Sequence, residues 1–212
     1  MSAIETIARV GVVPVVTIDR VDDAVGLASA LVEGGLPVME ITLRTPVGLE
    51  AIARVADREP EILVGAGSVT SAAAASSAVD AGARFVVSPG LDAGMVRTSP
   101  DRGVPVIPGV ATATELMRAM ALGVDVVKVF PADVIGGPRL IEALAAVWPQ
   151  VRFLPTGGIS ATNAAPYLAL PSVLALGGSW MVPRPAVAAR DWTSITELAV
   201  AAAALVSKEG RR

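Results

Sequence analysis

Neither cysteine nor histidine occurs anywhere in the 212 residues. Thiol nucleophiles, disulfides, Ser–His–Asp triads and zinc sites built on His or Cys are thereby excluded. Proton transfer falls to Asp, Glu, Lys, the single Tyr167 or water. Lysine is almost as scarce: one of the two, Lys208, stands in the charged end SKEGRR, and the other, Lys128, stands inside the apolar run VVKVFPA. Long hydrophobic runs are also missing. Every apolar stretch is broken by Gly, Pro or charge before about 18 residues, so none reads as a membrane span, and the opening MSAIETIARV lacks the basic-then-apolar order of a secretion signal. The net charge is −3 with Lys and Arg scattered, so no basic stripe is available for nucleic acid or an acidic membrane surface. The expectation is a cytoplasmic protein with neither kind of partner.

What is present is a repeat. Short Val- and Ile-rich runs recur about 20 to 25 residues apart: VVPVVTI, PVMEITL, ILVGAGS, FVVSPG, VPVIPGV, VVKVFPA, VRFLPTGG and VLALGGS. Between them lie Ala/Leu-rich stretches of helical period, such as DDAVGLASALVEGG and PRLIEALAAVW. Continuous apolar runs, without polar alternation, indicate strands covered on both faces, as in a parallel sheet wrapped by helices. Eight such units predict an α/β protein formed by a single (β/α)8 TIM barrel, one domain over residues 1–212 with 208–212 a charged tail. An open doubly wound sheet is the alternative, but the first strand is not followed by its G-x-G-x-x-G fingerprint. Gly and Pro cluster at the strand ends, in GAGS, SPG, IPG, FPA, PTGG and LGGS, which in a barrel form the mouth of the active site.

Within VVKVFPA, side-chain alternation puts Val126, Lys128 and Phe130 on one face and Val127 and Val129 on the other. Lys128 therefore enters either the barrel interior or the helix layer, and neither is wet. One reading is a structural lysine paired with a carboxylate or snorkelling to the rim. The other, which we favour because no nucleophile of comparable power remains, is a lysine that burial drives toward its neutral amine, ready to attack a carbonyl. In PVMEITLRT the residues Glu40, Thr42 and Arg44 share a face, an acid to move protons and a guanidinium to hold a carboxylate through paired hydrogen bonds; a purely structural ion pair is the rival reading. Near the end, TGGIS at 156–160 and GGS at 177–179 follow the seventh and eighth strands, the usual phosphate-binding loops of this fold. Backbone N–H groups of glycines approach an anion closely, Ser160 and Ser179 offer hydroxyls, and a loop arginine could assist.

Taken in order and spacing, VPVVTI, EITLRTP, GAGSV, SPG, IPGV, KVFPA, FLPTGGI and GGSW resemble the 2-keto-3-deoxy-6-phosphogluconate (KDPG) aldolase family over about residues 8 to 207. The resemblance implies a class I aldolase on a (β/α)8 barrel, with no metal or cofactor and usually trimeric. Such an enzyme takes a phosphorylated keto acid and releases pyruvate and glyceraldehyde 3-phosphate. It matches Lys128 to the Schiff-base lysine, Glu40 to the general acid/base and Arg44 to the ligand of the pyruvate carboxylate. Ser68 falls where many members carry a threonine, keeping the hydroxyl and losing a methyl. Pro89, Phe130 and Thr156 match pocket positions, and Gly157, Gly158, Gly178 and Ser179 the phosphate site. Gly48 departs from the pattern, where a small helix former is expected. The galactose-series epimer and 4-hydroxy-2-oxoglutarate share the pyruvyl half and stay open as substrates. Outside this chemistry, the alternatives are a barrel that binds or isomerises a phosphosugar without covalent catalysis, and a non-catalytic scaffold.

Overall fold

Branching at Cβ favours extended backbone and a crowded, pleated surface. The computed structural model, which describes residues 1–98 and 103–208, places a strand in each of the eight Val- and Ile-rich runs. These are β1 (Val12–Val16), β2 (Val38–Thr42), β3 (Leu63–Gly67), β4 (Val86–Val87), β7 (Val126–Val129), β8 (Arg152–Pro155) and β9 (Leu176–Gly178), with the fifth run divided into β5 (Val106–Ile107) and β6 (Gly109–Val110). The division falls on Pro108, which has no N–H to donate and so interrupts the ladder. β5 pairs with β4, β6 with β7, and every pairing is parallel.

The ladders form a six-stranded sheet, β5-β4-β3-β2-β1-β9, and a three-stranded sheet, β6-β7-β8. Two isolated bridges, Phe153 to Val173 and Thr156 to Gly177, link the β8 and β9 segments. The architecture is therefore α/β with a curled parallel sheet. Helices α1 (Ala3–Val10), α2 (Ala24–Glu33), α3 (Gly48–Arg58), α4 (Ala72–Asp80), α5 (Ala93–Thr98), α6 (Ala113–Ala121), α7 (Gly137–Val147), α8 (Ala164–Leu168), α9 (Arg184–Ala189) and α10 (Trp192–Lys208) alternate with the strands. Of the expected charged tail, residues 209–212 lie outside the described residues.

Strand alternation sorts the core into two clusters. Val13, Val38, Leu63, Phe85, Val87, Ile107, Val126 and Leu154 meet on the inner face, closed from below by Ile7 of α1. Val12, Met39, Ile41, Val64, Val127, Val129 and Phe153 belong to the larger cluster shared with the helices. Both faces are thus apolar and covered, which is why the strands read as continuous hydrophobic runs. Gly48, unexpected as a helix residue, opens α3 hard against β2: a Cβ there would lie 3.1 Å from the Thr42 carbonyl oxygen and from Leu43 Cδ2.

Helix starts carry local signals. At α6, Thr112 accepts from the Glu115 backbone while the Glu115 carboxylate accepts from the backbone N–H groups of Ala111 and Thr112 at 2.8 and 2.9 Å. The Ala111 N–H, first among the causes, holds this carboxyl below the usual range in the folded protein. A carboxyl whose pKa falls on folding stabilises fully above its unfolded value, and that stabilisation is lost as the pH drops through the folded value. Because Glu115 is half-exposed, the effect is screened. Glu115→Gln should cost about 0.5 kcal/mol at pH 7 and progressively less below about pH 4, read from urea midpoints of both proteins across pH.

Candidate active site

Lys128 lies on β7 with Val126, whose side chain belongs to the inner cluster, so the lysine enters the interior and not the helix layer. It is 3% exposed. Across the interior Glu40, fully buried on β2, faces it, with Nζ and Oε1 3.5 Å apart. That is an ion-pair distance, long for a hydrogen bond. Neither Glu40 oxygen has a hydrogen-bond partner among the described residues. Burying two charges is costly unless further hydrogen bonds compensate, so this pair is poorly explained as a stabilising device. The Phe130 ring completes the lysine's surroundings, its centroid 5.2 Å from Nζ, within cation–π range.

Glu40 has room because β3 presents Gly67 next to it. A Cβ at Gly67 would lie 2.5 Å from Glu40 Cγ and 2.6 Å from Cδ, and would overlap Oε1. The requirement for glycine is steric, since Gly67 is not among the positive-φ glycines.

Arg44 does not continue the strand face as the alternation of Glu40, Thr42 and Arg44 suggests. β2 stops at Thr42 and the chain turns, so that Arg44 is exposed and its Nε donates to Ser68 Oγ at 2.8 Å. Ser68, just past β3, is held at φ 56°, a left-handed conformation that costs a non-glycine residue about 1 kcal/mol. The strain turns a hydroxyl toward the guanidinium. Pro89 sits in a turn shaped by buried Ser88, whose Oγ donates to the Gly90 carbonyl at 2.7 Å. The Pro89 carbonyl in turn packs where Gly109 leaves no space for a Cβ.

Across the mouth, Thr156 is buried at the end of β8 and bridges to Gly177, where any side chain would overlap the Thr156 hydroxyl. Gly157 and Gly158 follow at φ 98° and 78°, a backbone path that a side chain would strain. Backbone N–H groups of Ala132 and Asp133 donate to the Thr156 and Gly157 carbonyls, at 2.8 and 3.1 Å, tying this loop to the one after β7. Gly178 is buried against the Trp180 ring and Ser179 is exposed. The Ser160 hydroxyl is spent locally, 2.9 Å from the Thr162 hydroxyl, and Arg184 is committed to Asp19 through two contacts of 2.7 and 2.8 Å. Tyr167 is buried with its hydroxyl near Gly137 and the Asp133 side chain. Burial first, then the nearby Asp133 carboxylate, push its pKa up, which makes it a poor proton carrier near neutrality. The described residues include no cluster of three acidic side chains able to hold a metal, and no helix long and apolar enough to cross a membrane.

Sequence reading finds the charged members of this site and misses the residues that make space or polarity around them: Gly67, Gly177 and Thr17, whose hydroxyl lies 3.1 Å from that of Thr42. Gly67 stands in the GAGS expected at the mouth and Gly177 in the GGS expected to bind phosphate, but the room each leaves for a neighbouring side chain is not written in those strings. Thr17 stands inside the first apolar run, VVPVVTI, where nothing in the sequence singles it out.

The model of the KDPG and KHG aldolases matches residues 3–198. The 2-dehydro-3-deoxy-phosphogluconate aldolase of Treponema pallidum is 50% identical over 194 residues, 92% of each chain. Among solved structures, KDPG aldolase of Legionella pneumophila, with pyruvate captured as a covalent carbinolamine intermediate, superposes with a TM-score of 0.92 at 41% identity, covering 95% of this chain and 98% of that one. The Zymomonas mobilis 2-keto-3-deoxy-6-phosphogluconate aldolase with 3-phosphoglycerate gives 0.88 at 45% identity, covering 96% of each. With a buried lysine and carboxylate facing each other at its centre, and with this likeness over nearly its whole length, the chain belongs to the KDPG and KHG aldolase family.

Proposed function

We propose that this protein is a class I aldolase, an aldehyde-lyase that cleaves 2-keto-3-deoxy-6-phosphogluconate to pyruvate and glyceraldehyde 3-phosphate, with 4-hydroxy-2-oxoglutarate as a second substrate. The observation that carries the reading is Lys128 and Glu40, two charged side chains buried together 3.5 Å apart on the inner face of the sheet. In this reaction Lys128 Nζ, as the free amine, attacks the C2 carbonyl. Loss of water gives an iminium ion, which is the electron sink. Glu40 takes the C4 hydroxyl proton as the C3–C4 bond breaks, leaving the aldehyde and an enamine of pyruvate. Protonation of the enamine at C3 and hydrolysis of the resulting imine release pyruvate and restore the amine.

The remaining residues bind. Arg44, exposed but for its contact with Ser68, takes the pyruvyl carboxylate, and the Ser68 hydroxyl shares that duty. Pro89, Phe130 and Thr156 wall the keto acid. Backbone N–H groups of Gly157, Gly158 and Gly178, with the exposed Ser179 hydroxyl, hold the phosphate. Since Arg184 is paired with Asp19, amides carry this site without a free cation from that loop. The same reading makes the curled sheet a closed (β/α)8 barrel and the chain one domain, working as a homotrimer in the cytoplasm. The bridges between β8 and β9 support closure, and family membership supports the trimer.

The test is chemical trapping. Pyruvate and sodium borohydride should add one reduced pyruvyl group, located by peptide mapping on Lys128 and absent from Lys208. No adduct, under conditions that label a known class I aldolase, would remove the covalent mechanism.

A further inference from the structure

The hydroxyls of Thr17 and Thr42 lie 3.1 Å apart. Thr42 ends β2, and Thr17 follows the end of β1. The parallel register, with Val15 opposite Glu40 and Val16 opposite Ile41, continues to set Thr17 beside Thr42. Two-residue alternation puts Thr17 on the face of Val13, an inner-cluster residue, and Thr42 on the face of Glu40. The two hydroxyls therefore stand on the inner wall, one layer nearer the mouth than the reacting carboxylate. Thr42 is fully buried, whereas Thr17 is half-buried.

That difference fixes which way the hydrogen bond runs. Each hydroxyl has one proton to give. Among the described residues Thr42 has no other acceptor within reach, and the Glu40 oxygens receive no hydrogen bond from it. If Thr17 donated, the Thr42 proton would be stranded in a dry interior, which is costly. Thr42 thus donates, and the Thr17 proton is presented at the mouth.

The place of Thr17 on the rim says what it meets. β1 lies between β2 and β9. Arg44 and Ser68 follow β2 and β3, whereas the glycine loops follow β8 and β9. A keto acid with its carboxylate at Arg44, its C2 at Lys128 and its phosphate at the glycine loops carries its hydroxyl-bearing carbons past the end of β1. We propose that Thr17, oriented by Thr42, is a specificity-determining residue that donates a hydrogen bond to the C5 hydroxyl of the substrate, the hydroxyl next to the carbonyl of the aldehyde half. This rests on the aldolase reading.

The experiment runs the reaction toward condensation, with pyruvate and either glyceraldehyde 3-phosphate or the corresponding phosphorylated propanal that lacks the 2-hydroxyl. The readout is the ratio of kcat/KM for the two aldehydes, which does not depend on how much of a variant is folded. Thr17→Val keeps the shape and removes the donor; it should lower the ratio about tenfold. Thr17→Ser keeps the donor and should keep the ratio. An unchanged ratio in Thr17→Val overturns the proposal, including the case where both aldehydes slow equally, which would mean that Thr17 acts without touching the aldehyde's hydroxyl. Deuterium exchange into the methyl group of pyruvate by the wild-type protein separates this failure from a larger one: without exchange, the aldolase reading itself falls.

Discussion

Lys128→Met should lose turnover by more than about 10⁴-fold, because the one other lysine, Lys208, ends α10 and not a strand facing Glu40, so no amine remains in the interior to form the iminium ion that accepts the electrons of the broken bond. Lys128→Arg should be equally inactive, since guanidinium keeps the charge but forms no Schiff base; a variant retaining a substantial fraction of the rate would point to non-covalent chemistry. The stability of these variants carries separate information. Glu40 is fully buried and the lysine is its one ionic partner among the described residues. Removing the lysine alone strands that carboxylate, at about 3–5 kcal/mol. Replacing both, as Lys128→Met with Glu40→Leu, removes the unpaired charge and should recover most or all of the loss. Urea unfolding of the single and double variants measures this directly. A single variant as stable as the wild type would show that the ion pair does not hold the interior together.

The contrast between what was and was not legible follows from the range of the forces involved. Strand positions were legible because β-branched runs bounded by Gly and Pro impose extended backbone locally, and each of the eight runs contains a strand. The break at Pro108 was legible in principle, since a missing N–H interrupts a ladder wherever it falls. That Lys128 and Phe130 share a face follows from period-two alternation, but which side that face turns to depends on how the whole sheet curls, and only the packing of Val126 with Val13 and Leu154 decides it. Arg44 was assigned to a strand face that ends two residues earlier, at Thr42. A turn delivers the cation instead to Ser68, just past β3. Least legible were Gly67, Gly177 and Thr17. Their roles depend on neighbours from other strands, and a single sequence carries no trace of those contacts.

Gly67→Ala should lower kcat about 100-fold while leaving the fold in place. The backbone of Gly67 does not require glycine, since its φ is not positive. What the added methyl meets is the Glu40 side chain, 2.5 Å from Cγ and 2.6 Å from Cδ, with Oε1 overlapped outright. The carboxylate must swing away, and a displacement of about 1 Å at a proton-transferring group is enough for a loss of that size. Overpacking adds a stability cost of about 1–3 kcal/mol, short of unfolding a domain of this kind. Glu40→Asp supplies the decisive comparison, because it keeps a carbon at the Cγ position, 2.5 Å from the added methyl, but withdraws the Oε1 that the methyl overlaps outright. Beside the native Gly67, the shorter acid should be harmful, leaving a gap and a longer reach to the substrate. Combined with Gly67→Ala it should do little further harm or restore part of the rate, so the two substitutions should be strongly non-additive. Strict additivity in kcat across the four proteins would mean that Gly67 and Glu40 act independently, and the glycine would then owe its place to something other than room for the carboxylate.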